Sequence, residues 1–593
     1  MKIKLGSLVI IICLLFIWNT AEAKDVENDY DLIVVGSDPE GIAAAVSGAR
    51  NGLSTLLVDT RPEVGGLMTR GWLNTIDMNY KPNPYGPSTD ILNKGIFLEF
   101  YNSVEGDSFD VITAQRAFND LINNEKYLDL MLNVKEIEPI VSGSFSRSKI
   151  EGVRIKDEDG GTTALYSKTL IDATQDADIA AQAGVPFSVG QEDMGYVNRH
   201  VATTLVFKLS GVSESDWYKI RVALNTDVDP NTGANRVSAW GFGDIMKGFK
   251  FKNENLGVRG LNIGRQNDGS VLINALHIYN VNPLDFNGKE KAKHLARQEL
   301  PKLVNYIGEN IPGFSNAYLA GVAPELYVRE SRHIYGEYRL TVYDVLGNKD
   351  FDDRIAFGSY PVDIQAMGRE KRGTILGVPK QYAIPFRSLV PKKVDNMLVV
   401  GRSASFDSIA HGSARVIPVG MATGQAAGAA AAISIEENID FRKMTEKGYI
   451  ISKLQDRLTE QGMDLQPYKY DLSTSDHLTH EGLKFMLKHG LVSGGYSNNF
   501  NLDGTITVGK FYQLLGDLAK IYKMKLPESI EEFSPSDSKL TIDELDQFLP
   551  DDKSFLERWF EDLEVLEDIE DKEEEIARGM AFMLIKDYIN WSK

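Results

Sequence analysis

The first apolar segment of the chain is followed by a glycine and then by a run of small residues. Residues 31–35 read Asp-Leu-Ile-Val-Val, and residues 42–50 are rich in alanine. A second apolar run, at residues 55–58, ends on Asp59. This order is typical of a βαβ nucleotide-binding unit, which consists of a strand, a glycine turn, a small-residue helix and a second strand that ends in an acid. The pattern therefore predicts the first half of a dinucleotide-binding fold.

The turn between this strand and helix departs from the usual pattern of three glycines, because it reads Gly36-x-Asp38-x-x-Gly41. Gly36 allows a tight turn, since it has no side chain to clash at positive φ. Gly41 allows the helix to pack closely on the strand. The free N–H groups and the dipole of the helix N-terminus favour a pyrophosphate, whereas Asp38 and Glu40 add negative charge beside it. Either the turn takes a different path or other groups compensate, and a purely structural βαβ turn is the alternative.

The pattern changes further along the chain. Residues 127–171 read as a set of strands, and residues 172–178 end an apolar strand and open a helix. Residues 187–390 combine strands with long polar loops, which indicates an inserted substrate or cap domain. Residues 396–401 return to a buried strand with a glycine turn, and a small-residue helix follows from Gly420.

We therefore expect an α/β fold in a chain of 593 residues, which is too long for one ordinary core. A three-layer, Rossmann-like domain is split by an inserted α+β cap domain and followed by a mostly helical C-terminal domain. The expected segments are the first part of the nucleotide-binding domain at 29–186, the cap domain at 187–390, the closing part at 391–440 and a helical appendage at 441–593.

The N-terminus is predicted to be a secretory signal peptide over residues 1–23. Two lysines precede an apolar stretch at residues 5–18, and the tripeptide Ala-Glu-Ala at residues 21–23 offers a small-residue cleavage site. The stretch is short for a membrane span. We therefore expect the mature protein to be secreted or held at the cell surface.

Composition narrows the classes of function. Cys13 is the only cysteine and lies inside the predicted signal peptide, so a mature chain without thiols has no disulfide, thiolate–zinc site or cysteine nucleophile. The 43% hydrophobic and 25% charged residues are typical of a globular protein. A net charge of −20 argues against a nucleic-acid partner, because phosphate binding needs clustered Lys and Arg.

Four motifs within residues 29–435 belong together. They are the glycine turn at 34–45, Gly65-Gly66-Leu67, the run 170–178, and the block 399–428. The third is similar to an Asp-Ala-Thr-Gly motif in which Gln175 replaces the glycine. Together they resemble the bacterial FAD-dependent oxidoreductases of the glutathione-reductase-type flavoprotein superfamily, distantly related to fumarate reductase flavoproteins. The resemblance implies FAD as the cofactor and a redox activity.

The resemblance also implies an FAD site that is split between distant parts of the chain. Asp59 would hold the adenosine ribose, and Gly401 would lie beside the ribityl–pyrophosphate portion. The helix that starts near Val419 would point its N-terminus at the pyrimidine edge of the flavin, where its dipole stabilises negative charge on the reduced ring. The residues expected to bind FAD are Gly36, Asp38, Pro39, Glu40, Gly41, Asp59, Thr60, Arg61, Gly65, Gly66, Leu67, Ala173, Thr174, Gln175, Gly401, Arg402, Val419 and Gly420.

His411 and Arg415 are the candidate catalytic residues. They are similar to a His-Gly-x-x-Arg segment of fumarate-reductase-type enzymes, in which the arginine holds a substrate carboxylate. A guanidinium suits that role because it offers two parallel donors. Alternatively, His411 bonds only to backbone, and Arg415 bonds only to an FAD phosphate or a nearby acid.

Other charged residues have a structural interpretation. Arg329, Glu330 and Arg332 could line the site, but a structural ion-pair network is favoured. His200 and His277 fall in the expected cap domain and are interpreted as buried structural histidines. No set of His, Cys, Asp and Glu has metal-ligand spacing, so no metal site is expected.

The tail over residues 470–593 weakly resembles surface-layer homology modules, through residues 490–496 and 503–511. A Thr-Arg-Ala-Glu-like run helps such modules bind cell-wall polysaccharide, but residues 507–510 here read Thr-Val-Gly-Lys. Any cell-wall contact through the tail is therefore expected to be weak, and the tail can equally be a helical appendage that only packs on the enzyme.

Two hypotheses of function follow. The first is an exported FAD-dependent oxidoreductase that transfers a hydride between flavin and a small organic substrate, with an unidentified electron acceptor. The second is a cell-wall-associated binding or scaffold protein that retains a non-catalytic FAD fold.

Overall fold

The computed structural model describes residues 29–591 apart from residues 87, 145, 473, 527–535, 549–558 and 560–573. The predicted signal peptide at residues 1–23 lies outside the described residues. Within the described part of the chain, no helix is both long enough and apolar enough to cross a membrane.

The chain alternates between strands and helices through most of its length. The strands are β1 Tyr30–Val35, β2 Thr55–Val58, β3 Leu128–Met131, β4 Glu136–Ser144, β5 Arg147–Lys156, β6 Thr162–Asp172, β7 Phe187–Val189, β8 Thr203–Thr204, β9 Phe207–Ser210, β10 Gly233–Ala234, β11 Ser238–Gly241, β12 Leu256–Arg265, β13 Val271–Ile278, β14 Tyr318–Val322, β15 Arg332–Ile334, β16 Arg354–Gly358, β17 Asp363–Ile364, β18 Thr374–Ile375, β19 Tyr382–Pro385, β20 Val394–Asp395 and β21 Met397–Val399. The helices are α1 Pro39–Arg50, α2 Gly66–Thr69, α3 Ile96–Asn102, α4 Val111–Asn123, α5 Asp178–Gln182, α6 Glu214–Asn225, α7 Gly243–Met246, α8 Phe286–Asn310, α9 Val342–Leu346, α10 His411–Ala414, α11 Ile417–Glu436, α12 Phe441–Met444, α13 Gly448–Glu460, α14 His480–Lys488, α15 Val508–Tyr522, α16 Ile542–Phe548 and α17 Arg578–Trp591. Short 3₁₀ helices lie at Glu192–Met194, Phe386–Ser388, Gly401–Ser403 and Gly495–Ser497.

A parallel sheet forms the first core, with strands in the order β3, β2, β1, β6 and β21. The last four residues of β1 are buried, as expected for a central strand covered on both faces. The N-terminal half of β6 leaves the parallel part and pairs antiparallel with β5, which pairs with β4. This topology confirms the predicted α/β, Rossmann-like fold.

Helices α1 and α11 bring the two distant parts of this domain together. A Cβ atom on Gly424 would lie 2.1 Å from the carbonyl oxygen of Glu40, and one on Gly428 would lie 2.3 Å from that of Ala44. The Ser47 hydroxyl donates a 2.7 Å hydrogen bond to the Gln425 carbonyl, 378 residues away in sequence. The small residues of α11 are therefore needed because the two helix backbones touch.

A second, antiparallel sheet lies within the predicted cap segment. Its strand order is β10, β11, β12, β13, β9 and β14, and β8 also pairs with β13. Its separate apolar core draws on residues 205–328 and includes one face of α8. The chain packs on the first core again at Ile334 and from Leu340 to Leu389, although the predicted cap domain extends to residue 390.

The C-terminal helices do not form an independent core. Buried residues of α12, α13, α14, α15 and α17 belong to the same apolar cluster as β1 and α11. The predicted helical appendage is thus packed directly on the first domain.

We expect the close contact between α1 and α11 to make Gly428→Ala destabilising. The new methyl group would press on the backbone of Ala44 and Gly48, and overpacking of this kind costs roughly 1–3 kcal/mol. Thermal unfolding followed by circular dichroism should show a lower apparent midpoint for this variant than for the wild type.

Gly516→Ala is the matched control, because Gly516 lies inside α15 with open space around its Cα. Alanine at an exposed helix position stabilises by about 1 kcal/mol, so this variant should unfold at or above the wild-type midpoint. Equal midpoints for the two variants would show that α1 and α11 are not in backbone contact.

Candidate functional site

The glycine turn after β1 is defined by contacts between backbones. Gly36 has φ of +101°, and a Cβ atom on it would lie 2.6 Å from the carbonyl oxygen of Ala173 at the end of β6. A Cβ atom on Gly41 would lie 1.9 Å from the carbonyl oxygen of Gly36. Both positions therefore require glycine, and the turn closes tightly over the carboxyl ends of β1 and β6.

Asp38, the unusual residue of this turn, directs its carboxylate towards the 65–67 loop. The backbone N–H of Leu67 donates to Asp38 Oδ1 at 2.9 Å, and Arg61 Nη1 donates to Oδ2 at 2.7 Å. A Cβ atom on Gly66 would lie 1.8 Å from Asp38 Oδ1, so the loop backbone packs on the carboxylate. Asp38 thus ties the loop to the turn, and Arg61 compensates its charge.

Arg61 joins three parts of the chain. Besides Asp38, its guanidinium contacts Glu325 of the cap segment at 3.1 Å and Asp59 at 3.5 Å. Asp59 Oδ2 accepts 2.6 Å hydrogen bonds from both the backbone N–H and the hydroxyl of Ser37. The acid at the end of β2 is therefore fixed in place beside the glycine turn.

A cavity of about 490 Å³, which we call the outer cavity, opens beside Asp59 at the carboxyl ends of β1, β2 and β6. Ligands of open α/β sheets bind at this edge. The predicted cofactor residues that line it are Gly36, Asp59, Thr60, Arg61, Leu67, Thr174, Gln175 and Arg402. Lining residues outside the predicted set include Lys135, Asp176, Phe286, Lys289 and Glu325, and most of these lie on β3–β4 and cap segments that no local motif connects to the turn.

A second, much smaller cavity of about 30 Å³, the inner cavity, lies beyond Arg402. Arg402 lines both cavities, and its guanidinium donates to the Gln175 carbonyl at 2.8 Å, to Asp176 at 2.6 Å and to the Val328 carbonyl. The predicted residues at the inner cavity are Glu40, Leu67, Gln175, Gly401, Arg402, Arg415 and Gly420. The predicted residues that line neither cavity are Asp38, Pro39, Gly41, Gly65, Gly66, Ala173 and Val419.

Glu40 is a buried acid at the inner cavity. Gln175 Nε2 donates to Glu40 Oε1 at 2.8 Å, and a Cβ atom on Gly401 would lie 2.3 Å from the same oxygen. Burial, followed by the nearby Asp38 charge, raises the pKa of Glu40 to about 7. Gln175, which replaces a motif glycine, therefore has a defined partner, and Glu40 can carry a proton near neutral pH.

A polar chamber of about 50 Å³ adjoins the inner cavity and shares Asp77, Arg329 and Arg415 with it. Three arginines and two carboxylates line the chamber, so its lining carries a net positive charge. Such a chamber suits an anionic group of a ligand. The charged and phenolic side chains of the lining are Arg259, Arg329, Arg415, Asp77, Asp363, Tyr327 and Tyr360.

Tyr327 organises two of these arginines. Arg415 Nη1 donates to the Tyr327 hydroxyl at 2.8 Å, and the Arg329 guanidinium carbon lies 4.2 Å from the centre of the Tyr327 ring. Burial and the neighbouring Arg259 and Arg415 lower the pKa of Arg329 to about 10. Arg329 lines the chamber, and its Nη1 also donates to the Ala202 carbonyl at 3.0 Å and to the Thr204 hydroxyl at 2.8 Å, as a structural role requires.

Asp77 and Tyr360 form an acid–phenol pair in the chamber. Burial raises the pKa of Asp77, whereas Arg415 and a hydrogen bond from Tyr360 oppose that shift. Burial and the charges of Asp77 and Asp363 raise the pKa of Tyr360 well above its ordinary value. No sequence motif marks either residue, because both lie in irregular segments that only the fold brings together.

His411 lies behind the chamber wall and lines none of these three cavities. Its ring is 4.8 Å from that of His333, whose Nε2 lies 3.1 Å from Glu330 Oε1. These three buried side chains offer ligand atoms within 4.8 Å of one another, a grouping that the sequence spacing did not indicate. Burial, His333, Arg415 and Arg402 lower the pKa of His411 well below 6.5, and the same two arginines disfavour a divalent cation here.

Arg332, the third member of the predicted ion-pair network, lies apart from the chamber. Its Nη1 donates to Asp178 Oδ1 at 2.7 Å and to the Asp176 carbonyl at 2.7 Å. It therefore braces the start of α5.

Two relatives with assigned activities match parts of the chain. NADH:acrylate oxidoreductase of Vibrio harveyi is 26% identical over 174 residues, which are 28% of this chain and 17% of that protein. Digeranylgeranylglycerophospholipid reductase of Picrophilus torridus is 31% identical over 77 residues, which are 12% of this chain and 19% of that protein. The chain thus spans less than a fifth of the length of either relative.

Two solved structures also align with the chain. A geranylgeranyl bacteriochlorophyll reductase-like protein of Thermoplasma acidophilum has a TM-score of 0.36 and 14% identity, covering 83% of this chain and 96% of its own. The p-nitrophenol 4-monooxygenase of Pseudomonas putida has a TM-score of 0.34 and 10% identity, covering 83% of this chain and 98% of its own.

The family described as FAD dependent oxidoreductase matches residues 31–458, which are most of the chain. The matched region runs from β1 to α13 and contains the glycine turn, both cavities and the polar chamber. FAD, which the motifs implied, is therefore confirmed as the cofactor, and this chain belongs to the family of FAD-dependent oxidoreductases.

Proposed function

We propose that this protein is an exported flavoenzyme that transfers a hydride between FAD and a small organic acid. The observation that carries the proposal is the polar chamber, which is lined by three guanidinium groups, and two of these, those of Arg329 and Arg415, also line the inner cavity. Membership of the family favours this redox activity over a non-catalytic scaffold. Export is supported by the N-terminal sequence, and the electron acceptor stays unidentified.

The outer cavity has the features that the adenosine end of FAD requires. Asp59 is a fixed acceptor beside a glycine turn, and Lys289 and Arg402 supply positive charge in the same lining. Helix α11 begins at Ile417, and both Ile417 and Gly420 line the inner cavity, which supports a flavin edge at the helix N-terminus.

The inner cavity is narrow, with a volume of about 30 Å³. Leu67 and Arg402 are among the side chains that line it, so they would contact a flavin ring bound there. Bound FAD supplies the hydride chemistry, and the chain supplies binding, orientation and proton transfer.

Arg415 and Arg329 are placed to hold the carboxylate of the substrate. Tyr327 fixes Arg415 through a hydrogen bond and Arg329 through its ring face, so neither guanidinium has to be ordered when substrate binds. Arg259 adds a third cation on the cap side of the chamber. One of the partial relatives is named for acrylate, which is itself a carboxylate, and this supports an organic acid as the substrate.

The Asp77–Tyr360 pair is placed to move a proton. When the substrate is oxidised, the Asp77 carboxylate accepts a proton through the Tyr360 hydroxyl, and in the reverse direction the pair returns it. His411 touches neither chamber nor cavity, so we assign it a positioning role behind Arg415.

The tie between Asp38 and the 65–67 loop predicts that Asp38→Asn weakens FAD binding. The substitution keeps the shape but removes the charge that Arg61 and the Leu67 N–H share, and hydrogen bonds to charged groups contribute about 1.5–3 kcal/mol. The dissociation constant of FAD for the apoprotein should rise roughly tenfold or more, as measured by flavin fluorescence.

Tighter FAD binding by the Asp38→Asn variant would contradict this role. If Asp38 faced the pyrophosphate, removal of its charge would tighten FAD binding. Asp456→Asn, at an exposed position of α13, is the control and should leave the affinity unchanged.

Replacement of Arg415 tests the proposed function directly. Mixing the FAD-loaded protein anaerobically with a panel of organic acids should identify one that bleaches the flavin. Arg415→Ala should slow that bleaching by roughly 10²–10³-fold with FAD retained, because a preorganised charged donor is lost. Arg415→Lys should be intermediate, since it keeps the charge but not the two-pronged geometry.

Arg457→Ala is the matched control, because Arg457 lies on α13 and, among the described residues, forms an ion pair only with Glu436 at the end of α11. Loss of FAD together with activity in Arg415→Ala would favour a phosphate-binding or structural role. Failure of every organic acid to bleach the wild-type protein would overturn the proposed function.

The Asp77–Tyr360 pair predicts a specific pH dependence. The pKa of Asp77 is raised, and a base must be deprotonated, so the rate of substrate oxidation should fall as the pH drops through that raised pKa. Asp77→Asn should lower kcat by about 10²–10⁴-fold, and the remaining rate should no longer fall as the pH drops. If the rate of the variant still fell at low pH in the same way, proton transfer would be assigned to another group.

A further inference from the structure

A wide cavity of about 720 Å³, which we call the mouth, adjoins the polar chamber. The two share Arg259, Asp363 and Gln365, so the chamber is the inner end of a larger space. Helix α7 and strand β12 of the cap form one wall. The hairpin of β17 and β18 forms the opposite wall, and Tyr496 of the C-terminal appendage completes the lining.

The mouth is positively charged in a chain that is strongly acidic. Its charged lining residues are Lys247, Lys250, Arg259, Arg369 and Arg372 against Asp363 and Glu370. Lys247 is paired with Asp244, whereas Lys250 and Arg372 are exposed and have no ion-pair partner within the described part of the chain. A concave surface with a net positive charge, in a protein of net charge −20, attracts anions selectively to that place.

Arg369 fixes the shape of the mouth. Its guanidinium donates to the carbonyl oxygens of Leu256 at 3.1 Å and Phe251 at 2.9 Å, which holds the hairpin against the cap. The positively charged residues of the mouth therefore lie on the cap and on the β17–β18 hairpin, which Arg369 connects to each other.

Two buried nitrogen atoms at the inner end of the mouth have no hydrogen-bond partner among the described residues. They are Arg259 Nε and His277 Nε2. Leaving such a group unpaired costs about 1–3 kcal/mol. His277 is 3% exposed, and it lines the mouth together with Arg259. Because neither nitrogen atom has accessible surface, the two side chains must rotate before oxygen atoms of a ligand can pair with them.

We propose that the substrate is an organic polyanion that is longer than the chamber. One carboxylate binds in the chamber, the middle of the molecule passes Arg259 and His277, and a second anionic group binds in the mouth beside Lys250 and Arg372. This inference rests on the proposed function of the chamber as a carboxylate site. The second group is a carboxylate or a phosphate, since both are anionic oxygen ligands of Lys and Arg.

Binding of simple anions to the FAD-loaded full-length protein tests this inference without turnover. Isothermal titration calorimetry would compare acetate with the α,ω-dicarboxylates from succinate to sebacate. Beyond a minimum length, the second carboxylate should raise the affinity roughly tenfold or more over acetate, because the linked group binds at high effective concentration. Phosphonocarboxylates of matched length form a parallel arm, in which tighter binding than the dicarboxylate identifies a phosphate as the second group.

The double variant Lys250→Ala/Arg372→Ala separates the mouth from the chamber. It should return the affinity for long dicarboxylates to the acetate level and leave acetate binding unchanged. The control Lys291→Ala/Arg297→Ala removes the same charge at exposed positions on α8. In this variant, longer dicarboxylates should still bind more tightly than acetate.

The outcomes distinguish this inference from the function on which it rests. Acetate that binds through Arg415, with dicarboxylates no tighter, overturns the inference and leaves the carboxylate chamber standing. The inference is also overturned if both double variants show the same increase in affinity with dicarboxylate length, because the overall charge of the protein would then explain the affinity. Absence of binding by acetate and by every dicarboxylate overturns the carboxylate chamber itself.

Discussion

The backbone contact between α1 and α11 is the constraint on which the cofactor site depends. The first part of the domain supplies the glycine turn and Asp59, whereas the closing part supplies Gly401, Arg402 and Arg415. These parts are joined where Gly424 and Gly428 let one helix backbone rest on the other. Any larger side chain at these positions would separate the helices and with them the two ends of the FAD site.

Charge compensation is the second requirement, because the turn places acids where a pyrophosphate is expected. Asp38 is turned towards the 65–67 loop and paired with Arg61, so its charge is directed away from both cavities. Glu40 stays at the inner cavity, but its pKa of about 7 allows it to be protonated near neutral pH. The irregular glycine motif is thus compatible with FAD, since one carboxylate supports a loop and the other can be neutral.

The parts of this site that follow from local sequence were predictable, and the parts assembled over long distances were not. The βαβ unit, Asp59 and the Gly401 segment were marked by apolar runs that end in glycine or an acid, and the structure places all of them at one sheet edge. Asp77, Tyr360 and Asp363 carry no such mark, because two irregular segments and the start of the short strand β17 converge on the chamber. His411 was selected by motif, yet the fold buries it behind Arg415. A motif fixes which residues are neighbours in sequence, but the direction of each side chain is set by what packs against it.

The C-terminal appendage also shows that packing decides what a sequence motif does. The run 490–496, which resembles part of a surface-layer module, contacts the chain just after the β17–β18 hairpin. Ser493 Oγ donates to the Ile375 carbonyl at 2.6 Å, and the Gly494 N–H donates to the Leu376 carbonyl at 2.8 Å. The Asn498 side chain both accepts from and donates to the Val378 backbone, at 2.7 Å and 2.8 Å. These polar groups are already used in contacts with β18 and the residues that follow it. This part of the appendage therefore braces one wall of the mouth.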